Sequence, residues 1–151
     1  SGAATYTASC ELGDLPPEAR VMIDFGGCSA CDAADQDNAG PAGPSYRVAV
    51  TGPVGEIAQV GVNGVECGVA WHAPYQVDIT GAARSGWNEI KITVCNTAAN
   101  ALAADQHILQ VAAQSEARYG RRFRMQDLDR AMESVRSGLL SVPTIVVSAN
   151  N

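Results

Sequence analysis

Trp71-His72-Ala73-Pro74-Tyr75, followed closely by Asp78, puts an indole, an imidazole, a phenol and a carboxylate within one short stretch. Sugar sites are built from such groups. A pyranose offers one apolar face to an aromatic ring and a rim of hydroxyls to planar polar groups. Trp71, His72 and Tyr75, with Asn63 or Asp78, could supply both. The same residues could equally frame a β-sheet. Trp71 follows an apolar run and can cover its end, Pro74 holds Ala73 extended, and Asp78 can cap a turn through Thr80 or Gly81. Asp78, Pro74 and Asn63-Gly64 are therefore assigned to structure. Trp71, His72 and Tyr75 are carried forward as the candidate carbohydrate-binding residues.

Other chemistries find fewer parts. A serine or cysteine nucleophile needs a base, and the only histidines are His72 and His107. There is no Gly-x-Ser-x-Gly elbow. Gly26-Gly27 follows a strand pattern, but no helix or Lys-Ser/Thr comes after it to cradle phosphate. No catalytic residue is assigned. Cys28-Ser29-Ala30-Cys31 has the spacing of half a zinc site and lacks a second half. Its other reading is a loop with two thiols. Asp32 to Asn38 offers oxygen ligands without the Gly and distant bidentate Glu of a calcium loop. The expectation is no metal site and no cofactor, with structural calcium as the one ion such a loop could attract.

Composition narrows the partners. The chain has 151 residues, a net charge of −6 and 46% hydrophobic content. That is enough for a single domain with a substantial core. Lys91 is the sole lysine beside nine arginines, and an acidic chain is a poor general nucleic-acid binder. Between Arg20 and Arg47 no basic residue occurs, while Arg118, Arg121, Arg122 and Arg124 cluster late and read as a solvated face. No apolar stretch approaches the roughly 20 residues of a bilayer span. The chain opens Ser1-Gly2-Ala3-Ala4 without an initiator Met, which reads as a cut from a longer protein. Five cysteines, an odd number, argue against a complete disulfide framework. Cys67 and Cys95 lie in apolar runs and are expected as buried free thiols, which tilts localisation toward a reducing, cytoplasmic compartment.

The elements that must position these residues are mostly strands. Alternation marks Tyr6 to Leu12, Val21 to Phe25, Tyr46 to Thr51, Glu56 to Val62, Val65 to Ala70 and Tyr75 to Ile79. Asn63-Gly64 marks a type I′ hairpin, whose two central residues both need positive φ. Gly86 and Asn88 bracket a turn. Glu89 to Asn96 alternates cleanly, with Ile90, Ile92 and Val94 on one face. Residues 26 to 45 are Gly-, Ala-, Asp- and Pro-rich and read as a loop insertion. His107 to Ala113 fits a strand or a helix. Asp127 to Val135 has helical spacing with Asp127 as N-cap. Ser137 to Leu140 reads as a loop and Pro143 to Val147 as a closing strand. Short strands every eight to twelve residues, joined by Gly, Asn and Pro turns, predict an antiparallel all-β sandwich with one short helix.

Within Gly55 to Asp105 the motifs themselves are distinctive. They run Val-Asn-Gly, then Pro-Tyr-x-x-Asp-Ile-Thr, then Gly-x-Asn and a strand ending Val-x-Asn. This stretch resembles the galactose-binding-like jelly-roll module of glycoside hydrolases, including the sugar-binding domain of family 2 enzymes of the β-galactosidase and β-glucuronidase kind. It is most similar to the C-terminal region of α-L-rhamnosidase-like hydrolases. Asn96-Thr97, Asn100 to Asp105 and Ser137-Gly138-Leu139-Leu140 extend that likeness to about residues 54 to 147. Ala101 stands where that family usually has Arg, Gly61 where a bulky residue is common, and Cys28 to Pro44 looks inserted.

The resemblance implies one jelly-roll domain over residues 1–151, a fragment of a larger glycoside hydrolase. It implies a non-catalytic accessory role, packing on the parent's catalytic domain and holding oligosaccharide, with no nucleic acid or membrane as partner. The catalytic carboxylates of such enzymes lie in a separate barrel, so no catalytic residue carries over. The alternative is a purely structural or protein-interaction sandwich without a ligand.

Overall fold

The computed structural model describes residues 2–30, 50–120 and 136–149. In chain order its strands are β1 (Ala3–Leu12), β2 (Ala19–Asp24), β3 (Ser29–Ala30), β4 (Val50–Thr51), β5 (Val54–Gly55), β6 (Ile57–Val62), β7 (Val65–Ala70), β8 (Gln76–Asp78), β9 (Gly86–Cys95), β10 (Gly138–Leu139) and β11 (Thr144–Ala149). Helices α1 (Ala99–Ala103) and α2 (Gln106–Tyr119) follow β9. Every described strand pair is antiparallel. The fold is all-β with few helices.

Strand alternation decides which faces meet. In β9, Asn88, Ile90, Ile92 and Val94 are buried while Trp87, Glu89, Lys91 and Cys95 are exposed. In β6 the buried set is Ala58, Val60 and Val62, and in β2 it is Ala19, Val21 and Ile23. The four-stranded sheet, in order β1-β9-β6-β7, turns its buried face on the same core as the three-stranded sheet β11-β2-β8. Phe25, Ile23, Ile79, Val21, Val60 and Val62 are the largest fully buried side chains there. Each contributes roughly 1.5–3 kcal/mol of burial.

The hairpin between β6 and β7 has the expected turn: Asn63 lies at φ 52 and Gly64 at φ 81. A bulge between Val60 and Gly61 shifts the register of that pair.

The late motifs form a latch. Asn96 and Asn100 both donate side-chain hydrogen bonds to the Ser137 hydroxyl, at 3.2 and 2.8 Å. Gly138-Leu139 then pairs with Val54-Gly55 as two short strands, so the segment expected as a plain loop carries ladder bonds. Leu139 N–H reaches the Tyr6 hydroxyl.

Several expectations change. The turn expected around Gly86 and Asn88 lies earlier, because β9 already starts at Gly86. His107 to Ala113 is helical, inside a 14-residue helix that Asp105 caps by accepting from His107 N–H. Ala-rich composition without β-branched alternation favours that outcome. Helical content thus exceeds one short helix, and the helix expected at residues 127–135 lies outside the described residues. Cys95 is exposed rather than buried, because it continues the outward parity of Lys91 and Thr93; Cys67 is half-buried. Most of the expected loop insertion, Cys31, and Arg121, Arg122 and Arg124 also lie outside the described residues.

Candidate functional site

The structure separates the three predicted sugar contacts. Trp71 follows β7, is 63% exposed, and stands edge-on to His72 with ring centroids 4.4 Å apart. His72 is exposed, and its Nδ1 lies 2.7 Å from the Ala73 carbonyl. A carbonyl only accepts, so Nδ1 donates in this contact. Tyr75 is only half-exposed and packs on the core, and its backbone carbonyl accepts from Phe25 N–H. Its hydroxyl lies where a Cβ on Gly52 would be 3.0 Å away. Burial pushes the Tyr75 phenol above its ordinary pKa, and its hydrogen bond with Cys28 acts in the same direction. Trp71 and His72 therefore form one exposed pair, and Tyr75 serves the packing around Gly52.

Asp78 and Thr80 build the turn after β8. Asp78 Oδ1 accepts from Thr80 N–H at 3.0 Å and from the Thr80 hydroxyl at 2.6 Å, while Oδ2 pairs with Arg20 Nε at 3.0 Å. The Thr80 hydroxyl in turn accepts from Val21 N–H. Asp78 is held below the usual carboxylate range, first by the Thr80 hydroxyl, then by the Thr80 backbone N–H, and last by Arg20. A depressed folded-state pKa stabilises the fold above the unfolded pKa, and that contribution is lost as pH falls through the folded one. Asp78→Asn should therefore unfold at lower urea than wild type at about pH 7, and the difference should shrink by about pH 3. Equal midpoints at neutral pH would remove the carboxylate from the account.

A second constellation escaped the sequence reading. Asn88 is 2% exposed and sits at the start of β9. Its Oδ1 accepts from Arg84 N–H at 2.9 Å and Asn63 Nδ2 at 2.9 Å, and its Nδ2 donates to the carbonyls of Arg84 and Gly86 at 2.6 and 2.9 Å. All four positions of the amide are filled. Asn63 also donates to the Ala82 carbonyl and accepts from Glu89 N–H. The Asn of the Val-Asn-Gly motif and the Asn of the Gly-x-Asn motif thus meet and pin the β8–β9 loop to the hairpin tip.

That node presents side chains outward. Arg84 Nε donates to the Trp87 carbonyl at 3.1 Å, which fixes the guanidinium beside a tryptophan that is 63% exposed. Ser9, Asn63, Arg84, Trp87, Asn88 and Glu89 line an open cleft of about 470 Å³. A second hollow, about 230 Å³, lies on the outer face of β6, β7 and β9 and shares Glu89 with the first. Trp87 was legible in principle. It is an aromatic on the polar parity of the cleanest strand in the chain, opposite to Ile90, Ile92 and Val94. Among the described residues no three His, Cys, Asp or Glu side chains converge as a metal site.

No family model matches the chain. A stretch of 57 residues is 35% identical to a protein named as a β-glucuronidase from Formosa agariphila, covering 38% of this chain and 5% of that protein. Among solved structures, 98% of the chain matches 11% of a rhamnosidase from Novosphingobium sp. PP1Y, with 27% identity and a TM-score of 0.54. A protein named as a β-galactosidase from Bacteroides fragilis is less similar, at 22% identity and a TM-score of 0.39 over 66% of this chain and 11% of that one. The chain spans only a small fraction of each of these proteins, and it is similar to a segment of proteins named as glycoside hydrolases.

Proposed function

We propose that this chain is a non-catalytic accessory domain of a glycoside hydrolase, a galactose-binding-like jelly roll that supports the catalytic domain of a rhamnosidase-like or β-galactosidase-like parent. One observation carries the reading: nearly the whole chain matches about a tenth of a rhamnosidase, at an identity that extends beyond shared topology. Two antiparallel sheets on one core, and the latch of Asn96 and Asn100 on Ser137, support the jelly-roll assignment. Trp71 and His72 are the proposed sugar contacts at their end of the sheet, with Tyr75 supporting from the core side.

A ligand-free scaffold is the second reading. It is favoured by the motif residues Asn63, Asp78, Thr80 and Asn88, whose side chains are all engaged in internal hydrogen bonds. The coding sequence around these 151 residues tests the main proposal. A hydrolase catalytic domain in the same chain is the expected result, and a parent of another class would overturn it. The purified chain should also leave nitrophenyl rhamnosides, galactosides and glucuronides uncleaved.

A further inference from the structure

We infer that the outer face of the four-stranded sheet, from Trp87 to Gly61, binds a neutral oligosaccharide, at a site distinct from the Trp71–His72 pair. The two tryptophans mark opposite ends of that sheet. Trp71 follows Ala70, which pairs with Ala58 opposite Val94, whereas Trp87 lies seven residues earlier on β9. That separation is about 23 Å along an extended strand.

Between them, β9 turns Trp87, Glu89, Lys91 and Thr93 outward in register. Their partners across β1 are Glu11, Ser9, Thr7 and Thr5, and across β6 the partners of Lys91 and Thr93 are Gly61 and Gln59. The face thus carries an indole at one end and a row of hydroxyl, amide, carboxylate and ammonium groups beyond it. Glu89 lines both of its hollows. Gly61 opens the second: it contributes no side chain where Glu66, Lys91 and Gln59 stand around it.

Three features select the ligand. The cleft is held by a buried, fully bonded Asn88, so Arg84 and Trp87 are placed before anything binds. β9 and β6 are interior strands whose backbone groups are spent on the ladders, so the middle of this face offers side chains alone, and an extended peptide could pair only at the β1 or β7 edge. Charges of both signs alternate, Arg84 with Glu89 and Lys91 with Glu66, which disfavours a polyanion. An exposed indole with polar groups beyond it suits a hydroxyl-rich chain several sugars long. The choice of a sugar rests on the accessory-domain reading, but glycan binding is measured on this chain whatever else the gene encodes.

Titration with galactotetraose, cellotetraose and mannotetraose, and with oligogalacturonate as the acidic counterpart, tests the site. Tryptophan fluorescence and amide chemical shifts are the readouts. At least one neutral tetrasaccharide should shift the indole N–H of Trp87 and the Nε–H of Arg84. Trp87→Ala should weaken it about tenfold or more, as expected for a dominant aromatic contact. Gly61→Val fills the second hollow from a backbone position where an added Cβ meets its nearest atom at an ordinary 3.4 Å. It should weaken tetrasaccharides more than disaccharides, with the thermal melt intact. Silence across the neutral panel, preference for oligogalacturonate, or undiminished binding in Trp87→Ala would each overturn the assignment. A response from this face in a chain whose gene encodes no hydrolase would keep the site and remove only the parent class.

Discussion

Asn88→Ala should cost about 3 kcal/mol of stability and lower the melting temperature by roughly 10 °C, although it removes only a small polar side chain. The deletion strands the N–H and C=O of Arg84 and the C=O of Gly86, and it takes one of two acceptors from Asn63. These groups sit around a side chain that is 2% exposed, so water replaces the lost partners poorly. Asn63→Ala should also be costly, because it gives up bonds to Ala82, Asn88 and Glu89. The double variant should cost about 1 kcal/mol or more below the sum of the two, since both singles break the same bond. Calorimetry of the four proteins checks this. Strict additivity would mean the two asparagines act independently and the network account is wrong.

Gly55→Ala should be comparably damaging, by about 3 kcal/mol, for a steric reason. A Cβ there would lie 2.6 Å from Ser137 Cα and 2.9 Å from Gly138 N. Both are backbone atoms, one in β10 and one just before it, and cannot rotate away. Gly138 is equally constrained, at φ 93 with the Tyr6 hydroxyl 2.5 Å from where its Cβ would be. The expected signature is local: hydrogen exchange at residues 137–141 should accelerate far more than in β6 or β9. A variant that melts like wild type, with those amides still protected, would show that the β5–β10 contact has more slack than its geometry allows.

Some of this was readable from residue types alone, and the reason is local chemistry. Asn63-Gly64 demands positive φ at two adjacent positions, and little besides a type I′ turn satisfies it. Asp78 and Thr80 are two apart and bond each other, so their turn needs no distant partner. Ile90, Ile92 and Val94 announced the inner face of β9 by parity. What stayed hidden was non-local. Asn88 touches Asn63 and Arg84 only after the hairpin and the loop have come together. Ser137 receives Asn96 and Asn100 across some forty residues. His107 to Ala113 lacked a decisive period, and its Ala-rich composition and the Asp105 cap together settle it as helix. Trp87 stands alone on its strand, away from the denser aromatic cluster at Trp71. An indole on the solvent parity of a strand is the more telling signal, since packing gives it no reason to be there.

The strand order also has a kinetic side. β1 pairs with β9, and β2 completes its sheet only when β11 arrives, with Arg20 opposite Ser148. Almost nothing in the first two strands can be satisfied by near neighbours, so loop-closure entropy must be met across most of the chain. During synthesis at about 5–20 residues per second, β2 waits on the order of 10 s for its second partner to be made. Through that interval β2 has β8 alone beside it, and its β11 side stays open. Refolding should accordingly be slow for a domain of this size, and an emerging chain would be most exposed to aggregation just before its last strand leaves the ribosome.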